Sequence, residues 1–285
     1  MNLRRTVAIL GLTTAMVSGG ALAANAITGG QADGGGHPNV GMIGYYDASG
    51  RQRCSATLVS PTIVLTAGHC ADGTIGKTAV SFDSVIAQDP SSSLPPAADP
   101  TVGYTAAELA ADGWRSGTAY AHPAYSHFTD KDSWNDVGVV VLDQPVTDIT
   151  PVSLAPVGYL DQFTPSVLNS TLFTAVGYGV DVTRADSGPQ NPTPQSYPIL
   201  RRVADAPGQK LTSQILQVNG SSNDSKGTGG ICFGDSGGPS FNGGYQVGVA
   251  SYTYSSTCRS IDGLQRVDIP VVQDWLAGFG VYPAS

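Results

Sequence analysis

Short apolar segments separated by glycine and proline recur along this chain and restrict its fold more than any other feature. Its 285 residues include 36 glycines and 19 prolines, which interrupt helices and favour turns. With 41% hydrophobic residues, a chain of this length can bury one large core or two modest ones. We therefore expect an all-β body built from many short antiparallel strands.

Two segments in the first half have clear strand patterns. Residues 55–66 contain two apolar runs around a Ser-Pro turn, which predicts a pair of strands. The run 136–142 is almost entirely apolar and follows a polar loop, so Asp136 marks a junction between loop and core. Residues 89–100 are rich in proline, serine and alanine, which is typical of a surface loop.

The middle of the chain is interrupted by three prolines, Pro145, Pro151 and Pro156. They prevent regular structure and predict a connection between two halves, 27–150 and 151–285. The apolar residues of 271–277 recur at helical spacing and predict one short C-terminal helix. The strand candidates of the second half are 173–180, 214–218 and 245–254.

The charge balance argues against a nucleic acid as partner. Lysine and arginine total 14 and aspartate and glutamate total 22, for a formal net charge of −8. Such a surface repels a phosphate backbone. We attribute the acidity to a solvated surface that keeps the protein soluble.

The chain begins with the pattern of a secretory signal peptide: two arginines, an apolar stretch over 6–17, and small residues up to Ala26. The arginines also fit a twin-arginine signal, but every signal peptide has a basic start, and we favour the ordinary kind. The apolar stretch is too short to span a bilayer, and no later segment has the roughly 20 consecutive apolar residues of a membrane helix. We predict a secreted, extracellular protein with no membrane association.

Two cleavage points fit the small residues that precede Ile27. Cleavage after Ala26 makes 1–26 the whole signal peptide. Cleavage after Ala23 makes 1–23 the signal and leaves 24–26 as a short pro-segment. The sequence leaves this choice open.

The segment 234–239, Gly-Asp-Ser-Gly-Gly-Pro, is the most specific signal in the chain. A serine flanked by glycines lies where the backbone turns sharply and another carbonyl can approach closely. Ser236 is therefore a candidate nucleophile that needs a base to remove its proton. The backbone N–H groups of Gly234 and Ser236 could stabilise the resulting oxyanion. The alternative is a glycine-rich turn without a chemical role.

The segment 66–70, Thr-Ala-Gly-His-Cys, supplies a candidate base in His69, because imidazole can accept and return a proton near neutral pH. The other three histidines lie in no comparable setting, and we expect no chemical role for them: His37, His122 and His127.

A carboxylate is needed to hold the imidazole in one tautomer and to stabilise its charged form. Asp136 fits best, because it adjoins a strand expected to be buried. Its competitors lie in polar surroundings, where a solvated carboxylate is the expected explanation: Asp130, Asp132 and Asp143.

Four cysteines allow three disulfide pairings. Export favours disulfides over free buried thiols. We favour the local pairs Cys54 with Cys70 and Cys232 with Cys258, because each pair brackets a stretch that carries candidate chemistry.

The three segments 66–70, 135–137 and 234–239 resemble, in order, the active-site blocks of the trypsin/chymotrypsin family, and of its secreted bacterial type in particular. The resemblance extends from Ile27 to the C-terminus. It implies two perpendicular six-stranded antiparallel β-barrels, with a catalytic triad of His69, Asp136 and Ser236 between them. It also implies a serine endopeptidase that hydrolyses peptide bonds through an acyl-enzyme, and it supports the two disulfides.

The resemblance also assigns a role to Ile27, because 27–30, Ile-Thr-Gly-Gly, is similar to the family's mature N-terminus with Thr28 in place of valine. In the family, the new amino group is buried against the aspartate before the nucleophile, here Asp235, and this ion pair shapes the oxyanion site. A lone buried carboxylate is costly. We therefore expect a chain that keeps even one residue before Ile27 to be nearly inactive.

By the same resemblance, Gly230 lies at the base of the pocket for the residue before the scissile bond. An aspartate there selects lysine or arginine, so Gly230 predicts no strong basic preference. Asp262 could restore that preference if its loop were shifted, but we favour a solvated loop residue.

The walls of this pocket follow from the resemblance as well. Residues 251–253 correspond to the strand that pairs with substrate, with Ser251 first, Tyr252 in place of tryptophan, and Thr253 where glycine leaves the pocket open. Gly263 would form the opposite wall. The pocket is therefore expected to accept small to medium uncharged side chains.

Other functions are possible in principle. A catalytically inactive relative that serves as a binding module would most simply lack a triad residue, and none is missing. A serine esterase fits the Gly-x-Ser-x-Gly spacing, but its residues follow the order serine, acid, histidine.

No cluster of metal-ligand residues is visible, so we expect no metal and no cofactor, although a calcium loop within 70–89 stays open. We expect polypeptide substrates and a monomer.

Overall fold

The computed structural model describes residues 27–183 and 193–284. The signal peptide predicted for residues 1–26 lies outside the described residues. The described residues contain four short α-helices, α1 (Gly68–Ala71), α2 (Ala106–Ala111), α3 (Pro165–Ser170) and α4 (Pro270–Ala277), and two 3-10 turns, Pro90–Ser92 and Leu160–Gln162. Within the described ranges, no helix is long and apolar enough to cross a membrane. The strands are β1 (Gln31–Ala32), β2 (Val40–Asp47), β3 (Gly50–Ser60), β4 (Ile63–Thr66), β5 (Ile75–Ser81), β6 (Val85–Ala87), β7 (Arg115–Ala121), β8 (Gly138–Leu142), β9 (Leu172–Gly177), β10 (Asp181–Thr183), β11 (Thr193–Gln195), β12 (Ile199–Leu200), β13 (Arg202–Leu211), β14 (Ile215–Asn219), β15 (Pro239–Asn242), β16 (Tyr245–Thr253) and β17 (Ile261–Arg266).

The first barrel is closed by six antiparallel strands in the order β2-β3-β4-β8-β7-β5. Its interior is apolar and includes Leu58, Val64 and Val139, each fully buried. The predicted strand pair of 55–66 is confirmed as β3 and β4, which pair antiparallel across the turn at Pro61. The apolar run after Asp136 forms β8, so Asp136 lies two residues before a strand of the closed barrel.

The second barrel contains β13, β14, β17, β16, β15 and β9, and pairing between β13 and β9 closes it. The two-residue strand β1 adds to the edge of β13. Its apolar interior includes Phe173, Leu216 and Val247. The predicted class, two six-stranded antiparallel barrels with a short C-terminal helix, is confirmed.

The C-terminal helix α4 follows the last strand of the second barrel but packs against the first. Its side chains Val272 and Leu276 are fully buried in the same cluster as Val64 and Val139. Pro270 occupies the first helical turn, where its missing N–H costs no hydrogen bond. The helix therefore fastens one barrel to the other.

Both predicted disulfides are present, Cys54 to Cys70 and Cys232 to Cys258. The first ties α1 to β3, and the second ties the loop before β15 to the loop after β16. A crosslink of this kind restricts the unfolded chain and, here, also limits the movement of two loops that carry candidate site residues.

A buried ion pair fastens the described N-terminal segment to the second barrel. The Nε atom of Arg201 lies 2.8 Å from the Oδ2 atom of Asp33, and both side chains are 2% exposed. Burial opposes ionisation of Asp33, but hydrogen bonds from His37 and Arg201 outweigh it and lower the pKa of this carboxyl to about 2. The segment that starts at Ile27 is thereby held against the barrel that carries Ser236.

Candidate active site

His69 lies in α1, the single helical turn that follows β4 in the first barrel. Its backbone N–H donates to the Oδ1 atom of Asp136 at 2.8 Å, and its ring Nδ1 lies 2.9 Å from Oδ2 of the same carboxylate. The side chain of His69 is 23% exposed, whereas that of Asp136 is fully buried. One carboxylate therefore fixes both the backbone and the ring of the histidine.

Asp136 is held in place from several directions. Its Oδ2 atom accepts a hydrogen bond of 2.6 Å from the Ser251 hydroxyl, and its own N–H donates to the side chain of Gln265 at 3.0 Å. The preceding residue, Asn135, has a φ of +44°, a left-handed conformation that asparagine tolerates better than most residues. The competing carboxylates Asp130, Asp132 and Asp143 are all exposed.

This arrangement fixes the ring tautomer of His69. The carboxylate of Asp136 can only accept, so Nδ1 must carry the hydrogen that bridges them. The Nε2 atom is then left unprotonated and able to accept a proton from a hydroxyl. A base of this kind is what a serine nucleophile requires.

Ser236 lies in a tight loop that contacts the first barrel. Its carbonyl accepts a hydrogen bond of 2.8 Å from the N–H of Ser55 in β3. The next residue, Gly237, has a φ of +81°, and a side chain there would collide with Thr66. The nucleophile candidate therefore lies against the chain segment that leads directly to His69.

No hydrogen bond joins His69 to Ser236 among the residues that the structure describes. The structure thus brings histidine and carboxylate into contact and places the serine loop beside them, but leaves the hydroxyl without a hydrogen bond to the ring. Such bonds are often long without substrate and tighten in the reacting complex.

The predicted oxyanion donors, Gly234 and Ser236, have N–H groups that make no hydrogen bond within the described ranges, so both are available to a ligand. Gly234 has a φ of +95°, a conformation that most other residues rarely adopt. This backbone turn is a structural reason for glycine directly before Asp235.

Asp235 is buried beneath the nucleophile loop. Its carboxylate accepts hydrogen bonds from the N–H groups of Gly179 at 2.7 Å and Cys232 at 2.9 Å. Burial raises the pKa of this carboxyl to about 7, although those two bonds and the charges of Arg53 and Arg202 oppose the shift. An additional positive charge at this position would stabilise the ionised form.

Ile27, the predicted partner of Asp235, is fully buried, and Thr28 forms a β-bridge with Gly230. No ion pair joins Ile27 to Asp235 in the described part of the chain, where the nitrogen of Ile27 belongs to the peptide bond with Ala26. The φ of Ile27 is +51°, which is strained for a β-branched residue. The predicted ion pair therefore stays a prediction that depends on cleavage.

The structure corrects the interpretation of Asp262. It is not a solvated loop residue, because it lies in β17 and is 1% exposed. Its Oδ2 atom accepts the N–H of Ile231 at 2.9 Å, and a side chain at Gly230 would collide with it. Burial, with a further contribution from nearby Asp235, raises the pKa of the Asp262 carboxyl to about 8.

The pairing of β16 with β17 determines which residues lie opposite Tyr252 and Thr253, while the role of Gly263 as a pocket wall stays a prediction. Thr253 pairs with Asp262, and Tyr252 pairs with Gly263. Paired residues lie on the same face of a sheet, so Asp262 rather than Gly263 shares a face with Thr253. The open side of Gly263 is filled by the Tyr252 ring. A bulge between Ala250 and Tyr252 sets this register, and residue counting cannot detect it.

Three side chains that the sequence did not single out support the site. Trp134 donates from Nε1 to the Ser251 hydroxyl at 2.9 Å, so it positions the group that in turn donates to Asp136. The Phe128 ring lies 5.5 Å from the His69 ring, centroid to centroid. Gln265 accepts the Asp136 N–H. Only the proximity of Trp134 and Phe128 to Asp136 in sequence could have indicated them.

Among the described residues, one group of potential metal ligands was found, formed by Cys54, His69 and Cys70. The two cysteines are joined in a disulfide and offer no thiolate to a metal. The geometry instead suits proton transfer by His69.

Known proteins with the same fold were identified from both sequence and structure. A family model described as Trypsin matches residues 27–276. HL collagenase aligns at 17% sequence identity with a TM-score of 0.59, over 91% of this chain and 97% of that one. A scabies mite inactivated protease paralogue aligns at 18% identity with a TM-score of 0.59, over 90% of this chain and 100% of that one. A mutant of human heparin binding protein aligns at 19% identity with a TM-score of 0.56, over 90% and 98%.

Proposed function

Because this chain belongs to the trypsin family of serine proteases, we propose that it is a secreted serine endopeptidase with His69, Asp136 and Ser236 as its catalytic triad. The observation that carries the proposal is the fully buried carboxylate of Asp136, 2.9 Å from Nδ1 of His69. That contact orients the ring and stabilises its protonated form, which are the two requirements for a general base acting on serine.

In the proposed reaction, the Oγ atom of Ser236 bonds to the carbonyl carbon of the scissile peptide as its proton passes to Nε2 of His69. The N–H groups of Gly234 and Ser236 stabilise the negative oxygen. His69 then gives the proton to the leaving amine, and the C–N bond breaks. A water molecule, deprotonated by His69, hydrolyses the acyl-enzyme and restores Ser236.

Secretion is supported by the two disulfides, which persist in oxidising compartments, and by the signal-like sequence before Ile27. The expected monomeric state and the division into units at residue 150 stay predictions. The rival candidate is an inactive homologue that serves as a binding module, since an inactivated paralogue shares this fold.

Two forms of the purified chain, one beginning at Ile27 and one retaining Ala26, distinguish an enzyme from an inactive homologue. We expect the first to fragment a denatured polypeptide and the second to do so about 10²- to 10⁴-fold more slowly. The reason is that a buried Asp235 carboxylate without its partner amine costs about 3 to 5 kcal/mol. Cleavage would also remove the peptide bond that strains Ile27.

A processed Ile27→Val form is the matched control and is expected to keep its activity, because it keeps the amine. If neither form fragments the polypeptide, the binding-module candidate is favoured. If both forms are equally active, the enzyme stands and the role assigned to Ile27 fails.

We also propose a preference for small to medium uncharged residues before the scissile bond. Gly230 provides no charge, Thr253 narrows the pocket, and a carboxyl at Asp262 with a pKa of about 8 is mostly neutral at pH 7. A second candidate, preference for lysine or arginine, is favoured by the same Asp262 once it ionises, because it lies against Gly230.

The pH dependence of the preference for arginine over leucine tests whether ionised Asp262 favours basic residues. The ratio of kcat/KM for a peptide with arginine before the scissile bond to that for one with leucine should rise about tenfold between pH 6 and 9 as Asp262 loses its proton. The Asp262→Asn variant should show a flat ratio. A rise that persists in this variant would exclude Asp262 as its source.

A further inference from the structure

A cleft next to the proposed oxyanion donor Gly234 is lined by two arginines. It has a volume of about 440 Å³, and its lining includes Arg51, Arg53, Tyr197, Phe233 and Gly234. We call it the arginine cleft. Neither arginine takes part in the proposed catalytic steps.

The two guanidinium groups belong to the same face of the first barrel. Arg51 and Arg53 are two residues apart in β3, and side chains at this spacing point to the same side of a strand. Their positive charges are therefore concentrated on one wall, although the whole chain carries a net charge of −8.

Neither arginine forms an ion pair with a carboxylate in the residues that the structure describes. Arg51 donates to the carbonyl of Leu94 at 2.5 Å, and Arg53 donates to the carbonyl of Ser196 at 3.3 Å. Arg51 also interacts with the Tyr104 hydroxyl, but a guanidinium has five N–H donors, so both residues keep donors for a ligand or solvent.

The cleft lies next to the reacting bond. The Nε atom of Arg53 is 3.4 Å from the position that a Cβ atom on Gly234 would occupy, and Gly234 is one of the proposed oxyanion donors. The acyl part of a substrate would pair with 251–253, beside Trp134 and Tyr252, whose rings lie 5.4 Å apart. A substrate that extends past Ser236 in the other direction reaches the arginine cleft.

We propose that the arginine cleft binds an acidic side chain among the first three residues after the scissile bond and so determines which bonds are cleaved. This inference rests on the proposed endopeptidase function. A carboxylate can accept paired hydrogen bonds from guanidinium groups, and such charge-assisted bonds are roughly twice as strong as neutral ones. The substrates would be polypeptides with aspartate or glutamate shortly after the cleaved bond.

The test uses quenched fluorescent peptides that differ only by glutamate or glutamine at each of the first three positions after the scissile bond. For the chain beginning at Ile27, we expect kcat/KM to favour glutamate about tenfold at one or more positions. The preference should decrease in 0.5 M salt (about a 4 Å screening length), because the site is open to solvent.

Substitution of the two arginines tests whether their side chains cause the glutamate preference. Arg51→Gln and Arg53→Gln should each reduce the glutamate preference severalfold. For the peptides with glutamine, kcat/KM of the Arg51→Gln variant should equal that of the wild type. Arg115→Gln is the matched control, since Arg115 lies in β7, outside the cleft. The glutamate preference of this variant should equal that of the wild type. If Arg53→Gln folds poorly, the exposed Arg51 still provides the test.

The outcomes separate the inference from the function on which it rests. If all peptides are cleaved and kcat/KM is equal for glutamate and glutamine, the role proposed for the arginine cleft is wrong, while the endopeptidase proposal stands. A glutamate preference that survives both substitutions would also contradict the role proposed for the cleft. Failure to cleave any peptide would overturn the endopeptidase proposal and the inference with it.

Discussion

Replacing Ser236 with alanine is expected to lower kcat for peptide hydrolysis by about 10⁶-fold. The substitution removes the only atom that the proposed mechanism uses to form the acyl-enzyme, and His69 then has no hydroxyl to deprotonate. The N–H groups of Gly234 and residue 236 would remain and could sustain a small residual rate. The measurement is single-turnover and steady-state hydrolysis of a fluorogenic peptide by the chain beginning at Ile27.

The stability of this variant should be nearly unchanged, because the Ser236 hydroxyl makes no hydrogen bond within the described residues. Its urea unfolding midpoint therefore serves as the control for folding. The exposed Ser133 provides a matched substitution, Ser133→Ala, that should leave kcat unchanged. Hydrolysis by Ser236→Ala at the wild-type rate would show that another residue is the nucleophile.

Replacing Asp136 with asparagine is expected to lower kcat by about 10⁴-fold. An amide cannot accept hydrogen bonds at both of its terminal atoms, so the bonds now made by Nδ1 of His69, the His69 N–H and Ser251 cannot all be kept. An amide N–H facing Nδ1 favours the tautomer with hydrogen on Nε2, which cannot accept a proton from Ser236.

Asp130→Asn is the control for this substitution. Asp130 was a competitor for the same role from sequence, but it is exposed in the loop that precedes Asp136. Its substitution should leave kcat within the error of the assay. A large loss in Asp130→Asn with none in Asp136→Asn would reassign the carboxylate and contradict the geometry of the site.

Much of the site could be predicted because its chemistry is encoded in short segments. A glycine-flanked serine and a histidine directly after a strand are visible without knowledge of the fold. Asp136 was identifiable because the apolar run after it predicted burial, and the structure places this carboxylate at 0% exposure. The local disulfide pairs followed from the positions of the cysteines.

The surroundings of Asp262 in the proposed specificity pocket could not be predicted in the same way, because they depend on pairing between distant strands. From the sequence, Asp262 was interpreted as a solvated loop residue. It is instead paired with Val218 of β14 and with Thr253 of β16, in the middle of the second barrel. A single β-bulge decides whether residue 262 or 263 faces Thr253.

Long-range hydrogen bonds also could not be predicted from the sequence. Trp134 reaches Ser251 across 117 residues, and Gln265 reaches Asp136 across 129. Neither side chain belongs to a short motif. Their contribution follows from the closure of two barrels against each other, which brings the loop before β8 into contact with β16 and β17.

The most direct test of the triad is the site of modification by a serine-directed organophosphonate. The chain beginning at Ile27 is treated with the reagent, digested, and analysed by mass spectrometry. We predict a single adduct on Ser236, absent from Ser236→Ala and formed far more slowly in His69→Ala. An adduct on another residue, or no adduct on the folded and processed chain, would contradict the account.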